Sequence, residues 1–422
     1  MQHVRNVFLF AVLGLLGCEH VNSNYCGDAP HTNCKDLVDA PIDGPPTGCK
    51  ATPAICTGAT PACDMVADTC VECTTTSKDL CIGVEPVCGS EKTCRGCTAH
   101  SECASEVCLP DGSCAVEGDV AYVDGTSGAG VTCTKNAPCK TVTLAIATPK
   151  ALVKVTGAVD DRVSIGRAVK LFAAPNAELS STSNGTLLTT TGAATVEVYD
   201  LTIANASGVN VGYGVQVSAN TTFAMTRGNI TGCREAGLIT NGGTVTVTGS
   251  TVTGNTGGGI SITNSTFKLV NNFIASNGNG AVNGSGFGGV QMSSSATTNE
   301  FTQNTVVFNH QTAIALNSPG VNCSVSNFAG ARNIISGNDT GTVFGAQTAG
   351  ACTFPDSFVN AGSAANTLGF ANVNTLDFHL TAASPATVRD VPGLTNCPGN
   401  DIDRDARPFN ALCDLGADEY KP

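Results

Sequence analysis

The chain has 422 residues, including 48 Gly and no Trp, with 13% charged and 41% hydrophobic residues. That apolar share suffices for a core and excludes an intrinsically disordered chain. Acidic residues outnumber basic ones by 34 to 21, a net charge of −13, which excludes a broad electrostatic footprint for nucleic acid or anionic lipid.

The chain begins with His3 and Arg5 before an uncharged apolar run, Val7 to Gly17. These 11 residues are too few to span a bilayer, which needs about 20 in a helix, so the segment reads as a cleaved export signal. Its end, Leu15-Leu16-Gly17-Cys18, resembles the bacterial lipobox. The resemblance implies cleavage after residue 17, lipid attachment at Cys18, and sorting to the outer membrane or cell surface, because Glu19 replaces the Asp of inner-membrane retention. Contact with a membrane is then expected through the lipid alone.

Residues 18–48 read as a tether, with Ala40-Pro41-Ile42-Asp43-Gly44-Pro45-Pro46 lacking any apolar period. Of 22 cysteines, 14 lie between Cys26 and Cys114. In residues 49–118 their spacing recurs, as in Cys56, Cys63, Cys70, Cys73 and then Cys81, Cys88, Cys94, Cys97. Export makes disulfides the default and predicts a stapled repeat module. A zinc array through Cys70/Cys73 and Cys94/Cys97 is the alternative. The module resembles cysteine-rich repeats that follow the lipid anchor in many exported bacterial proteins, where they serve as spacers or interaction modules. Later cysteines fall into candidate pairs, Cys133 with Cys139, Cys323 with Cys352, and Cys397 with Cys413, leaving Cys233 as a small buried residue.

Residues 119–390 are read as a solenoid. Between Leu201 and Cys352 only seven residues are charged: Arg227, Arg234, Glu235, Lys268, Glu300, Arg332 and Asp339. Amphipathic helices would lack a polar face, whereas runs such as Thr244-Val245-Thr246-Val247-Thr248 alternate as strands do. The segments ending in Cys233, Asn255 and Asn277 repeat every 22 residues, and Asn309 and Asn338 continue the series with longer loops. A fixed period of this length marks a solenoid, and three short strands per coil, stacked at about 4.8 Å, fit it. Asn255, Asn277, Asn309 and Asn338 are candidates for an Asn ladder, with Cys233 in the same register.

Residues 119 to 420 thereby resemble right-handed parallel β-helix proteins of the pectate-lyase-like superfamily. Tyr122-Val123-Asp124-Gly125 and Leu144-Ala145-Ile146-Ala147 look like the opening segment, whose short amphipathic helix caps the first coil. The segment 391–422, with Asp401-Ile402-Asp403-Arg404-Asp405 and Asp414-Leu415-Gly416-Ala417-Asp418-Glu419, resembles the cap that follows many bacterial surface β-helices. The expected fold is all-β, a right-handed parallel β-helix after a small disulfide-rich module.

The resemblance allows polysaccharide lyases and glycoside hydrolases, which use clustered Asp, calcium, and Arg or Lys. Hydrolysis needs two carboxylates about 5 to 9.5 Å apart, and the repeats offer only Glu235, Glu300 and Asp339, in different coils. Arg227, Arg234 and Asp200 read as a surface ion-pair group, and His310 and Lys268 as isolated. Asp401, Asp403 and Asp405 are candidate calcium ligands, although the Gly and Glu of an EF-hand loop are missing. No other cofactor is expected. Tyr213 and Phe287 are the candidate stacking aromatics for a polysaccharide. The reading is a surface protein that binds a glycan or protein partner, or is structural, without bond-breaking chemistry; the alternative is a polysaccharide lyase or glycoside hydrolase.

Overall fold

The computed structural model describes residues 48–205, 212–278, 287–294, 298–309, 319–324, 328–338, 347–360, 367–394, 397 and 399–422. Cys18, most of the tether, His310 and Asp339 lie outside the described residues. The described residues form two compact units, divided between Ser77 and Lys78. The cysteine-rich stretch is therefore divided between them.

In the first unit the strands Ala62–Asp64 and Thr69–Val71 form an antiparallel hairpin, stapled by Cys49–Cys63 and Cys56–Cys70. Asp64 accepts from the Val66 amide at 3.0 Å and Asp68 from the Lys50 amide at 2.6 Å. With so little apolar core, the crosslinks supply most of the stability, about 3 kcal/mol each for loops of this size. The second unit opens with Cys81–Cys94, Cys97–Cys108 and Cys103–Cys114. The zinc alternative is thereby corrected: Cys70, Cys94 and Cys97 hold other cysteines, and Cys73 is also disulfide-bonded.

The rest of the second unit is a parallel β-helix, consistent with the right-handed form. Three sheets run its length. Sheet A extends from Val120–Asp124 to Phe328–Ala331, sheet B from Ala158–Asp160 to Phe358–Asn360, and sheet C from Val163–Ile165 to Thr348–Gly350. Neighbours within a sheet are one coil apart, so Thr222 pairs with Thr244 and Thr244 with Thr266 in parallel register. The 22-residue repeat is one complete turn of chain through sheets A, B and C.

Each sheet sends apolar columns inward. Sheet A contributes Leu171, Val198, Met225, Val247, Leu269 and Phe301, and sheet B Ile203, Ile230, Val252, Ile274, Val306 and Ile335. Sheet C adds Leu188, Val215, Leu238, Ile260, Val290 and Val321, and all three columns are buried. Each such side chain contributes about 1.5–3 kcal/mol by leaving water, which explains how short strands without Trp hold together. The helix Val142–Ile146 buries Val142 and Ala145 over the first coil, and its Thr141 hydroxyl caps the Leu144 amide at 3.3 Å. The adjacent disulfide is Cys133–Cys139.

The corners are built by two ladders. After sheet B, Asn255, Asn277, Asn309 and Asn338 are buried and stacked. The Asn255 side-chain amide donates to Asn277 Oδ1 at 2.9 Å, Asn277 to Asn309 at 2.9 Å, and Asn309 to Asn338 at 2.8 Å. Their Nδ2 groups also donate to carbonyls of the preceding coil, such as Val252 and Ile274. Each amide fills the space a side chain would need at the start of sheet C in the preceding coil: a Cβ on Gly259 would lie 3.1 Å from Asn277 Nδ2, and one on Gly320 2.3 Å from Asn338 Nδ2. A second ladder runs between sheets A and B, where Asn272 donates to Asn304 Oδ1 at 3.0 Å and Asn304 to Asn333 Oδ1 at 3.2 Å. Ser250 and Ser357 continue it at either end. At this corner Asp200, Arg227, Asn271, Gln303 and Arg332, one from each of five coils, all have left-handed backbone, the conformation that lets the chain turn sharply.

Two of the three outer faces are covered over part of their length. Val107, Leu109 and Ala115 of the stapled opening pack on Tyr122, Phe172 and Tyr199 of sheet A, and the Tyr122 hydroxyl donates to the Ser105 carbonyl at 2.9 Å. At the other end, Leu368, Phe370, Phe378, Leu380 and Leu415 lie on Phe273, Ala275, Val307 and Ile334 of sheet B. The strands Phe273–Ala275, Thr305–Val307 and Ile334–Ser336 are consequently buried at every residue, as expected of a sheet packed on both faces. Sheet C keeps an open stretch at Gln216, Ile239, Ser261 and Gln291.

Candidate binding groove

Along sheet C, Gln216 pairs with Ile239, Ile239 with Ser261, and Ser261 with Gln291, so these outward side chains form one column over four coils. At a strand spacing of about 4.8 Å the column is about 15 Å long. It floors a groove of about 530 Å³ whose lining includes Tyr213, Glu235, Asn241, Thr263 and Phe287, a volume within the range of small-molecule sites.

The two walls have distinct origins. Tyr213 opens its strand opposite Ala236, and its hydroxyl is hydrogen-bonded to the Glu235 carboxylate; burial, and then Glu235, push its pKa up. The Phe287 ring lies on Gly258, where a Cβ would come within 2.6 Å of it, and its amide donates to the Gly257 carbonyl at 2.8 Å. Glycine in this turn is what allows an aromatic face to rest on the backbone. Glu235 is the only formally charged residue among the described lining residues.

The other sequence candidates go elsewhere. Arg227 grips Asp200 with two bonds, Nε to Oδ1 at 2.6 Å and Nη2 to Oδ2 at 2.7 Å. His100 and Arg404 approach the same carboxylate at 3.5 and 3.6 Å. Burial would raise the Asp200 pKa, but His100 and Arg227 outweigh it and hold it at about 2. Arg234 is exposed, and Lys268 pairs with Glu300 at 3.0 Å on sheet A. Cys233 is buried and free, with its thiol pushed up to about 12 by burial.

The tail carboxylates diverge. Asp401 Oδ1 accepts from the amides of Asp403 at 2.9 Å and Asp405 at 2.8 Å, Asp405 pairs with Lys421 at 3.0 Å, and Asp403 faces His379 Nε2 at 3.1 Å. They do not converge as three calcium ligands. Asp414 receives the amides of Asp390 and Tyr420, Asp418 that of Leu380, and Glu419 those of Phe409 and Asp414. The cap has little regular structure, so its backbone donors are satisfied by carboxylates. That requirement accounts for the acidic clustering. Burial pushes Asp414 up to about 6 and raises Asp418 as well. His379 Nε2, Asp403 and Asp418 could offer ligand atoms within 4.8 Å of one another, and Asp377 holds His379 Nδ1 at 2.6 Å. The sequence reading missed this histidine because its partners are up to 39 residues away in the chain.

Cys323 is paired with Cys352, and Cys397 with Cys413. Fold and groove together define a cysteine-stapled parallel β-helix with an open polar groove on sheet C. No family model and no curated protein matches the chain. Among solved structures it is similar to a pectate lyase, Pel9A, at 15% identity and a TM-score of 0.33, over 72% of this chain and 96% of that one. This is a weak and partial likeness to a pectate-lyase-like fold, and the β-helix assignment stands on the sheet register itself.

Proposed function

We propose that the chain is an exported, lipid-anchored surface protein whose β-helix holds a glycan in the sheet C groove without cleaving it. The observation that carries this reading is the pairing of two aromatic walls, Tyr213 and Phe287, with an amide and hydroxyl floor of Gln216, Ser261 and Gln291 in one open groove. Sugars present alternating apolar faces and hydroxyl edges, and such a lining matches both. A hydrolase requires two carboxylates about the scissile bond, and a lyase a basic residue beside the uronate. Among the described lining residues Glu235 is the sole carboxylate, and neither Lys nor Arg is present. Support for export and anchoring comes from Leu15-Leu16-Gly17-Cys18 and from the density of disulfides.

The test is incubation of the soluble chain from Glu19 onward, disulfides formed, with neutral and acidic polysaccharides, with and without calcium. Retention of a glycan with its chain length unchanged by mass spectrometry is expected. Shortened or unsaturated products would overturn the non-catalytic reading.

A further inference from the structure

We infer that the sheet C groove selects uncharged hexose chains and rejects uronate chains, an inference that rests on the glycan-binding reading above. Its basis is the charge inventory of the face. The stretch from Leu201 to Cys352 contains four cationic residues, Arg227, Arg234, Lys268 and Arg332. Arg227 is bound to Asp200 and Lys268 to Glu300, Arg332 sits in the turn between sheets A and B, and Arg234 is exposed and does not line the groove. Residues 206–211 and 279–286, which lie close to Tyr213 and Phe287 in the chain, contain no charged residue in their sequence. A uronate carboxylate seated here would meet Glu235 and no cation among the described lining residues.

Glu235 suits a neutral sugar for the same reason. A carboxylate has about four lone-pair sites, and Tyr213 occupies one of them. The others can accept from neighbouring hydroxyls of a hexose, while Gln216 and Gln291 each offer both a donor and an acceptor. The net charge of −13 adds a long-range repulsion against polyanions, which salt screens.

The experiment measures binding of three hexamers, of glucose, of mannose and of galacturonate, at low and at high salt. It uses the soluble chain, Glu235→Gln and Tyr213→Ala. The unsubstituted chain is expected to hold at least one neutral hexamer about tenfold more tightly than hexagalacturonate at low salt, with Glu235→Gln narrowing the ratio about fivefold, as removal of one like charge at contact range should. High salt is expected to narrow it as well, a readout independent of any substitution. Equal or tighter binding of hexagalacturonate, or a ratio that Glu235→Gln leaves unmoved, would overturn the charge selection while leaving the groove as a glycan site. Failure of all three hexamers to bind, or binding indifferent to Tyr213→Ala, would instead overturn the glycan reading itself.

Discussion

Asn338 and Gln347 hold each other through three hydrogen bonds: the Asn338 amide and Nδ2 donate to Gln347 Oε1 at 2.8 and 3.1 Å, and Gln347 Nε2 donates to the Asn338 carbonyl at 2.8 Å. This closes the ladder at its C-terminal end by supplying the acceptor that a further Asn would have given. At the other end Cys233 accepts no such role and only donates its backbone amide to Asn255 Oδ1, at 3.0 Å.

A ladder whose every rung serves two neighbours is expected to be unforgiving in its middle. Asn277→Ala strips the acceptor from the Asn255 amide and Nδ2, and a donor from the Val252 carbonyl. The expected loss is about 3 kcal/mol in denaturant unfolding. Thr246→Ala, on the outer side of sheet A, should stay within about 0.5 kcal/mol.

Lys154 is 2% exposed, set between Tyr122 and Phe172 on sheet A. Burial lowers its pKa to about 8, with Glu106 and Asp200 offsetting part of the effect. Above pH 8 the unfolded chain binds more protons at this site than the folded one, so stability should rise with pH up to the ordinary lysine range. Unfolding free energies between pH 8 and 9.5 should increase by on the order of 1–2 kcal/mol. Lys154→Met should flatten that rise and be the more stable protein at pH 7.

Asp200 works in the opposite sense. Its pKa is depressed to about 2, so its contribution is present above the ordinary carboxylate range and is lost as pH falls through about 4 toward 2. Asp200→Asn should cost about 1–2 kcal/mol at pH 6 and shallow the acid limb of the stability curve. Asn tolerates the left-handed backbone at this position, so the substitution isolates the charge.

Cys233 should be silent toward thiol reagents in the folded protein, because its thiol is buried and its pKa raised to about 12. Peptide mapping after alkylation is expected to find it unmodified natively and fully modified in denaturant. Rapid native labelling would show that the corner at residue 233 opens.

Much of this architecture is legible in the sequence because a solenoid repeats its local physics. The 22-residue period and the Asn series predict the coil and one corner. The second corner was readable by the same logic: Asn272, Asn304 and Asn333 each stand five residues before Asn277, Asn309 and Asn338. What the sequence hides is the clothing of the solenoid. Arg404 donates to the carbonyl of Thr98 across 306 residues, and Ala417 to Thr305 across 112; no period links such pairs. Covered stretches cannot be told from open ones in advance, and on sheet C the open stretch carries the groove. The acidic tail misleads for a related reason, since Asp401 and Asp418 bind backbone amides that strands would have satisfied elsewhere.

The central claim, that the open face of sheet C is the binding face, is tested most directly by calorimetry with a neutral hexasaccharide that the soluble chain retains. Tyr213→Ala and Phe287→Ala should each weaken binding at least about fivefold, as loss of an aromatic platform does, with the hexasaccharide recovered intact. Thr246→Ala, facing out from sheet A, should bind as the unsubstituted chain does. Full affinity in both groove variants, or a loss confined to Thr246→Ala, would contradict the account.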